Sequence, residues 1–210
     1  MYAYDENLIH KAMDSLGWMF AYGVNDYKLS LEQFYTYFLN SGYADRFGKG
    51  ESRIVSGMSG TELAMEVIYS MDPFSKFPVP SFCMNRSAEY WLGWSLAYYQ
   101  WYRNIRFKNI TTATSIRSIL LMYKKYHEMD ISHFVEKLDA DQKAYRSASA
   151  LKRLRLYAGL SQKDLSIQSD IPLRTIQQYE QGQKDIRKAN VDYILRLSKS
   201  LYCTVEDIIQ

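Results

Sequence analysis

The sequence predicts an all-α protein: a helical N-terminal domain followed by a C-terminal domain of five short helices. Three observations predict it. Apolar residues recur at helical spacing in one segment after another, and no strand-like alternation is sustained. The 210 residues include only 4 prolines and 10 glycines, few for a turn-rich β protein. Ser or Thr with Glu, Gln or Asp three residues later stands ahead of several apolar runs, the pattern of a capped helix start.

Residues 5–22 space Leu8, Met13, Leu16, Met19 and Phe20 as a helix does. Ser30 with Gln33 has capping-box spacing, and Phe34, Tyr37 and Phe38 form a stripe behind it. Ser59 with Glu62 repeats the device before LAMEVIYSM. The intervening FGKGESRIVSGMSG lacks the GxxxxGK[ST] phosphate-loop pattern and follows no strand, so it is expected to be a loop leading to Ser59. DPFSKFPVPS, residues 72–81, holds three of the four prolines and is also expected to be a loop.

Ser87 starts a helix that puts Trp91, Trp94, Tyr98, Trp101 and Ile105 on one face. Leu92, Leu96 and Tyr99 cover much of another. A helix apolar on most sides belongs in the middle of a domain. The competing reading is an aromatic groove for a partner or for stacked bases, with only Arg103 and Arg106 as basic company. Two more helices are expected, through SIRSILLMYKKYHEM and ISHFVEKLDADQKAYR. Small and polar residues then cluster in DQKAYRSASA, residues 141–150, which divides the chain into domains 1–146 and 147–210.

Composition, 47% hydrophobic and 23% charged, is that of an ordinary globular chain. The net charge of +3 is unevenly spread: residues 148–210 hold 10 Lys+Arg against 7 Asp+Glu, and residues 1–147 hold 16 of each. A local positive excess suits a polyanion partner. Cys83 and Cys203 are isolated, so neither a disulfide framework nor a zinc site is expected. The N-terminus lacks the basic and apolar regions of a secretory signal, and the apolar run at 90–102 is shorter than the ~20 residues that span a bilayer. A cytoplasmic protein without membrane attachment is expected.

Catalytic constellations are wanting. His127 and His133 lie six residues apart, off a common helical face, and HEMD is not HExxH. Glu62 and Glu66 read as a solvated face rather than an acid/base pair. The chain is therefore expected not to be an enzyme, and no metal or cofactor is expected.

LKRLRLYAGLSQKDLSIQSDIPLRTIQQYEQGQK, residues 151–184, reads as three short helices with a tight turn between the second and third. The first, residues 148–158, offers Leu151, Leu154 and Leu156 for packing and ends at Gly159, a residue that accepts left-handed backbone. Ser161 caps the second, with Asp164 as the box partner, and Leu165 with Ile167 or Gln168 follows. Ser169, Asp170 and Ile171 make the turn, and Pro172 stands where the third helix begins. In that third helix Ile176 and Tyr179 point inward. Leu173, Arg174, Thr175, Gln177 and Gln178 remain on the other sides. Arg can pair with guanine and Gln with adenine through two parallel hydrogen bonds, while Leu and the Thr methyl can meet the thymine methyl. A fourth helix over 189–200 buries Ile194, Leu197 and Leu201, and Thr204 with Asp207 caps a fifth, VEDII.

Residues 151–209 resemble the Cro/CI-type helix-turn-helix of the XRE family of regulators. The resemblance rests on Leu154, Gly159-Leu160-Ser161-Gln162, Leu165, Ile171, Thr175-Ile176, Tyr179-Glu180 and Gly182, with Leu195, Leu197, Leu201 and residues 205–208 after them. It implies that Gln162 bonds a DNA phosphate, that Leu173, Arg174, Thr175, Gln177 and Gln178 read bases, and that Gln183 and Lys184 lie in a phosphate-facing loop. Two positions depart from the family pattern, Ser166 for alanine and Asp170 for glycine. Glu180 reads as a structural carboxylate. The neutral helical domain joined to an XRE-like domain resembles antitoxins that neutralise a toxin and repress their own operon. SGYA, GMSGTEL and LAYYQWY in the first part strengthen that likeness. The implied partners are a double-stranded DNA operator, a second copy of the chain and a cognate toxin. The alternative is a ligand-sensing regulator with an aromatic-lined N-terminal pocket.

Overall fold

The computed structural model describes residues 2–81 and 86–209, and every regular element among them is helical. The chain forms two compact units, Met1–Gln142 and Lys143–Gln210. Cys83 lies outside the described residues. No described helix is long and apolar enough to cross a membrane.

The first unit contains α1 (Ile9–Ala21), α2 (Leu31–Asn40), α3 (Tyr43–Gly48), α4 (Ser52–Val55), α5 (Gly60–Met71), α6 (Ala88–Arg103), α7 (Phe107–Ile110), α8 (Ile116–Leu121) and α9 (Tyr123–Tyr126). It also contains most of α10 (Ile131–Arg146). Asp5 caps a 3₁₀ turn leading into α1. Beyond the expected end the chain widens into a π-helical turn over Tyr22–Asp26, where Gly23 passes beneath the Phe34 ring. Ser59 and Glu62 form the full capping box. Ser30 forms only half of one: its hydroxyl accepts the Gln33 amide (3.2 Å), but the Gln33 side chain reaches Tyr37 Oη at 3.5 Å instead.

Two expectations about loops and helices are corrected. FGKGESRIVSGMSG is not only a loop, because it contains the end of α3 and all of α4. Burying Ile54 and Val55 holds α4 down, and Arg46 braces it by two bonds to Glu51 (2.6 and 2.7 Å). SIRSILLMYKKYHEM is two helices, not one. At Met122 the amide bonds back three residues to Ile119, a 3₁₀ turn that ends α8. The proline segment 72–81 has no helix, as expected.

The core of this unit centres on α1 and α6. Leu92, Leu96, Ala97 and Tyr99 from α6 are buried with Leu16, Met19 and Phe20 from α1, so the Ser87 helix is a core helix. Glycines set the spacing. A Cβ on Gly93 would collide with the Leu16 carbonyl, and one on Gly17 would come within 2.8 Å of the Tyr90 ring. Large rings fill the remainder: Phe20, Phe34, Phe38, Phe47 and Phe107 meet edge to face.

The second unit contains α11 (Ala150–Tyr157), α12 (Gln162–Ser169), α13 (Leu173–Glu180), α14 (Val191–Leu201) and α15 (Val205–Ile209). Its core is Leu151, Leu165, Ile171, Ile176, Tyr179, Leu197, Leu201 and Ile208, with Leu154 packed against it. Leu156 is a correction: it is 45% exposed. Leu151 and Leu154 define a face whose next position is 155, and residue 156 has rotated past it. The side chain that fills that position is Arg155, which is buried.

Candidate nucleic-acid interface

The candidate surface is built on α12, α13 and the turn between them. Ser161 and Asp164 close a complete capping box at the start of α12, with the Asp164 amide on the Ser161 hydroxyl (3.1 Å) and the Ser161 amide on the Asp164 carboxylate (2.9 Å). The Ser161 hydroxyl and amide hold the Asp164 carboxyl below the usual range. At the other end Asp170 adopts left-handed backbone, φ +51°. Pro172 occupies the N-cap of α13.

Ser166 and Asp170 both have structural roles. The Ser166 hydroxyl donates to the Ile171 carbonyl at 2.6 Å, a bond alanine could not make. Arg196 of α14 holds Asp170 through its backbone carbonyl (3.3 Å) and carboxylate (2.9 Å). Most L-residues lose about 1–2 kcal/mol in left-handed backbone. Asp170→Ala is therefore expected to cost about 1–2 kcal/mol, while Asp170→Gly should stay within roughly 0.5 kcal/mol of wild type because relief of strain offsets the lost, mostly exposed ion pair. Thermal melts of the two variants check this; equal losses would refute it.

Beneath α13 lies a buried ion pair. Arg155 reaches Glu180 with two parallel bonds (2.6 and 2.9 Å), their side chains 7% and 2% exposed. The third nitrogen of the guanidinium, Nη1, donates to the Leu160 carbonyl at 2.7 Å. Glu180 also accepts the Gln162 side-chain amide at 2.8 Å. The Arg155–Glu180 pair thus ties together α11, the α11–α12 connection, the first residue of α12 and the last turn of α13. The structural reading of Glu180 holds, but its partner was not anticipated. Arg155 lies four residues after buried Leu151, and that spacing was the available signal.

The residues expected to read bases lie together on α13. Leu173 and Arg174 are exposed, and Thr175, Gln177 and Gln178 are half-buried. Ile176 and Tyr179 are buried on the opposite side. Among the described residues, the side chains of Arg174, Thr175, Gln177 and Gln178 make no hydrogen bond or ion pair. The phosphate candidates differ from one another. Gln162 has one amide N–H committed to Glu180 and keeps a second. Gln183 donates to Gln181 Oε1 at 2.9 Å. Lys184 is exposed and has no ion pair among the described residues, and it follows the turn at Gly182, φ +71°.

Three arginines of this unit are tied up in ion pairs, which leaves the net positive excess in place but reduces the number of free cations. Arg155 is neutralised internally, Arg187 pairs with Asp185, and Arg196 pairs with Asp170 and Asp192. Arg174, Lys163 at the start of α12, and Lys184 and Lys188 between α13 and α14 have no ion pair among the described residues. No family model matches the chain, and no characterised protein or solved structure matches it.

Proposed function

We propose that the chain is a cytoplasmic, sequence-specific DNA-binding regulator, a repressor, whose α13 enters a major groove. One observation carries this reading: a face of α13 on which the side chains of exposed Arg174 and half-buried Thr175, Gln177 and Gln178 have no hydrogen-bond or ion-pair partner among the described residues. Glu180 and Arg155 support that face from behind. Arg174 offers a guanidinium fork for guanine O6 and N7, and the glutamines offer paired donors and acceptors for adenine. Gln162, aimed by Glu180, and Lys184 supply phosphate contacts. The chain acts as a homodimer on two half-sites about 34–36 Å apart. Its neutral first unit is assigned to partner binding, with a cognate toxin as the partner implied by the resemblance.

Sequencing the DNA fragments retained by purified protein tests this reading and yields the operator. On that operator, Arg174→Ala should weaken binding by about 1–3 kcal/mol and relax preference at one base pair. Lys184→Ala should weaken all sequences alike and lower the slope of log affinity against log salt by about one. Retention of random fragments only, or wild-type affinity in both variants, would refute the assignment.

A further inference from the structure

The first unit carries a recess that the proposed function does not use. It measures about 210 Å³ and is walled by Tyr90, Trp91 and Trp94 from α6 and by Tyr123 and Tyr126 from α9. Packing behind these rings fixes them. Trp91 stands edge-on to Tyr123 (5.8 Å) and to Phe134 (5.4 Å). Tyr90 is held by Trp18 at 4.8 Å and by a hydrogen bond from its hydroxyl to Asp14. A site whose walls are preset loses little freedom when a ligand enters.

The charges around the recess select among guests. Aromatic boxes commonly take quaternary ammonium ions. Here resident cations already occupy ring faces: the Arg86 guanidinium lies 4.8 Å from the Tyr90 centroid, and the Lys125 ammonium lies 5.2 Å from that of Tyr126. A cationic guest would meet like charge. Arg86 also lines the recess, and its nearest carboxylate, Asp14, is 3.7 Å away and already engaged by the Tyr90 hydroxyl. The guanidinium fork therefore has donors to spare for a carboxylate. On the other rim the His127 ring lies tilted against Tyr123, centroids 4.4 Å apart, and bonds its carbonyl, with Glu128 3.5 Å away. An anionic group is thus directed toward Arg86 and away from Glu128.

The geometry points to a binding site for a planar aromatic monocarboxylate of one or two rings, stacked against Trp94 with its carboxylate on Arg86. This inference does not depend on the DNA-binding reading. Another recess, about 520 Å³ beside α4 and α5, is lined by Glu62 and Glu66. Arg53 also lines it, but Glu62 and Glu66, bonded to the Ser59 cap and to the Tyr43 hydroxyl, face an anionic guest with like charge, and no tryptophan walls it.

Calorimetric titration of the full-length chain tests the site with three probes of one ring size: naphthoate, naphthalenemethanol and naphthylmethyl-trimethylammonium. Naphthoate should bind saturably, about tenfold or more tighter than the alcohol, because only the acid gains a charge-assisted bond. The ammonium should show no saturable binding. Arg86→Gln should reduce acid affinity to that of the alcohol and leave the alcohol unchanged. Trp94→Ala should weaken both by about tenfold. Arg86 is exposed, so its variant tests the site even if Trp94→Ala is unstable. The inference is overturned by absent saturable binding of the acid, by an ammonium that binds as well, or by acid affinity unaltered in Arg86→Gln.

Discussion

Arg155→Met should melt the second unit. The substitution roughly preserves the apolar stem but removes the guanidinium and its three hydrogen bonds from a buried position. Glu180 would keep only the Gln162 amide, and the Leu160 carbonyl would lose its Arg155 donor. Removing one partner of a buried ion pair costs about 3–5 kcal/mol, because the remaining charge is stranded in low dielectric. A unit this size has a total stability of about 3–10 kcal/mol, so the loss reaches much or all of it. Arg155→Lys should fail nearly as badly, since an ammonium cannot reproduce the fork. The double variant Arg155→Met with Glu180→Leu should recover most of the lost stability, as apolar replacements of buried pairs often do. Hydrogen exchange on the full chain separates these cases: the single variant should lose protection across α11–α15 while α1 and α6 keep theirs. Undiminished protection in the single variant would show that the pair contributes nothing. A double variant as unstable as the single would show that the loss came from packing rather than from a stranded charge.

The same pair marks the boundary of what the sequence could reveal. Capping boxes at Ser59 and Ser161 were legible because all their atoms lie within four residues. Ser30 misled because Gln33 found a competing acceptor, the Tyr37 hydroxyl, one turn along its own helix. α4 escaped notice because its apolar pair Ile54–Val55 is too short to show a period and is buried by tertiary packing. The third helix of the second unit was legible through Ile176 and Tyr179, whose burial leaves the polar residues outward. The bonds that support that helix were not legible. Arg155–Glu180 and Arg196–Asp170 join residues 25 and 26 positions apart. Nothing in a helical period states which distant charge a given arginine will meet. Serine at 166 and aspartate at 170 are visible in the sequence only as departures from a pattern; their roles depend on the Ile171 carbonyl and on Arg196. The recess beside Trp94 lies further still from sequence reasoning, because it is the space left between two packed helices.

Packing also sets the largest expected effect in the first unit, at Gly93. Helix propensity alone predicts that Gly93→Ala stabilises α6 by roughly 0.5–1 kcal/mol. The structure predicts the opposite sign. The new Cβ would overlap the backbone carbonyl of Leu16 and crowd the Gly17 Cα, 2.9 Å away, neither of which can rotate aside. α1 and α6 would have to separate, loosening Leu92 and Leu96 against Leu16 and Met19. Overpacking of this kind costs about 1–3 kcal/mol and sometimes more, and the absence of a flexible neighbour puts Gly93 at the upper end. The expected net result is a loss of about 2–3 kcal/mol. Gly48→Ala is the matched control. A Cβ there meets only the Gln100 side chain, at 3.4 Å, so its effect should stay within about 1 kcal/mol. Chemical denaturation of both variants, followed by tryptophan fluorescence of α6, measures the difference. If Gly93→Ala proves as mild as Gly48→Ala, α1 and α6 do not cross as closely as Gly93 and Gly17 imply, and the packing that fixes Tyr90 and Trp91 at the aromatic recess loses its basis.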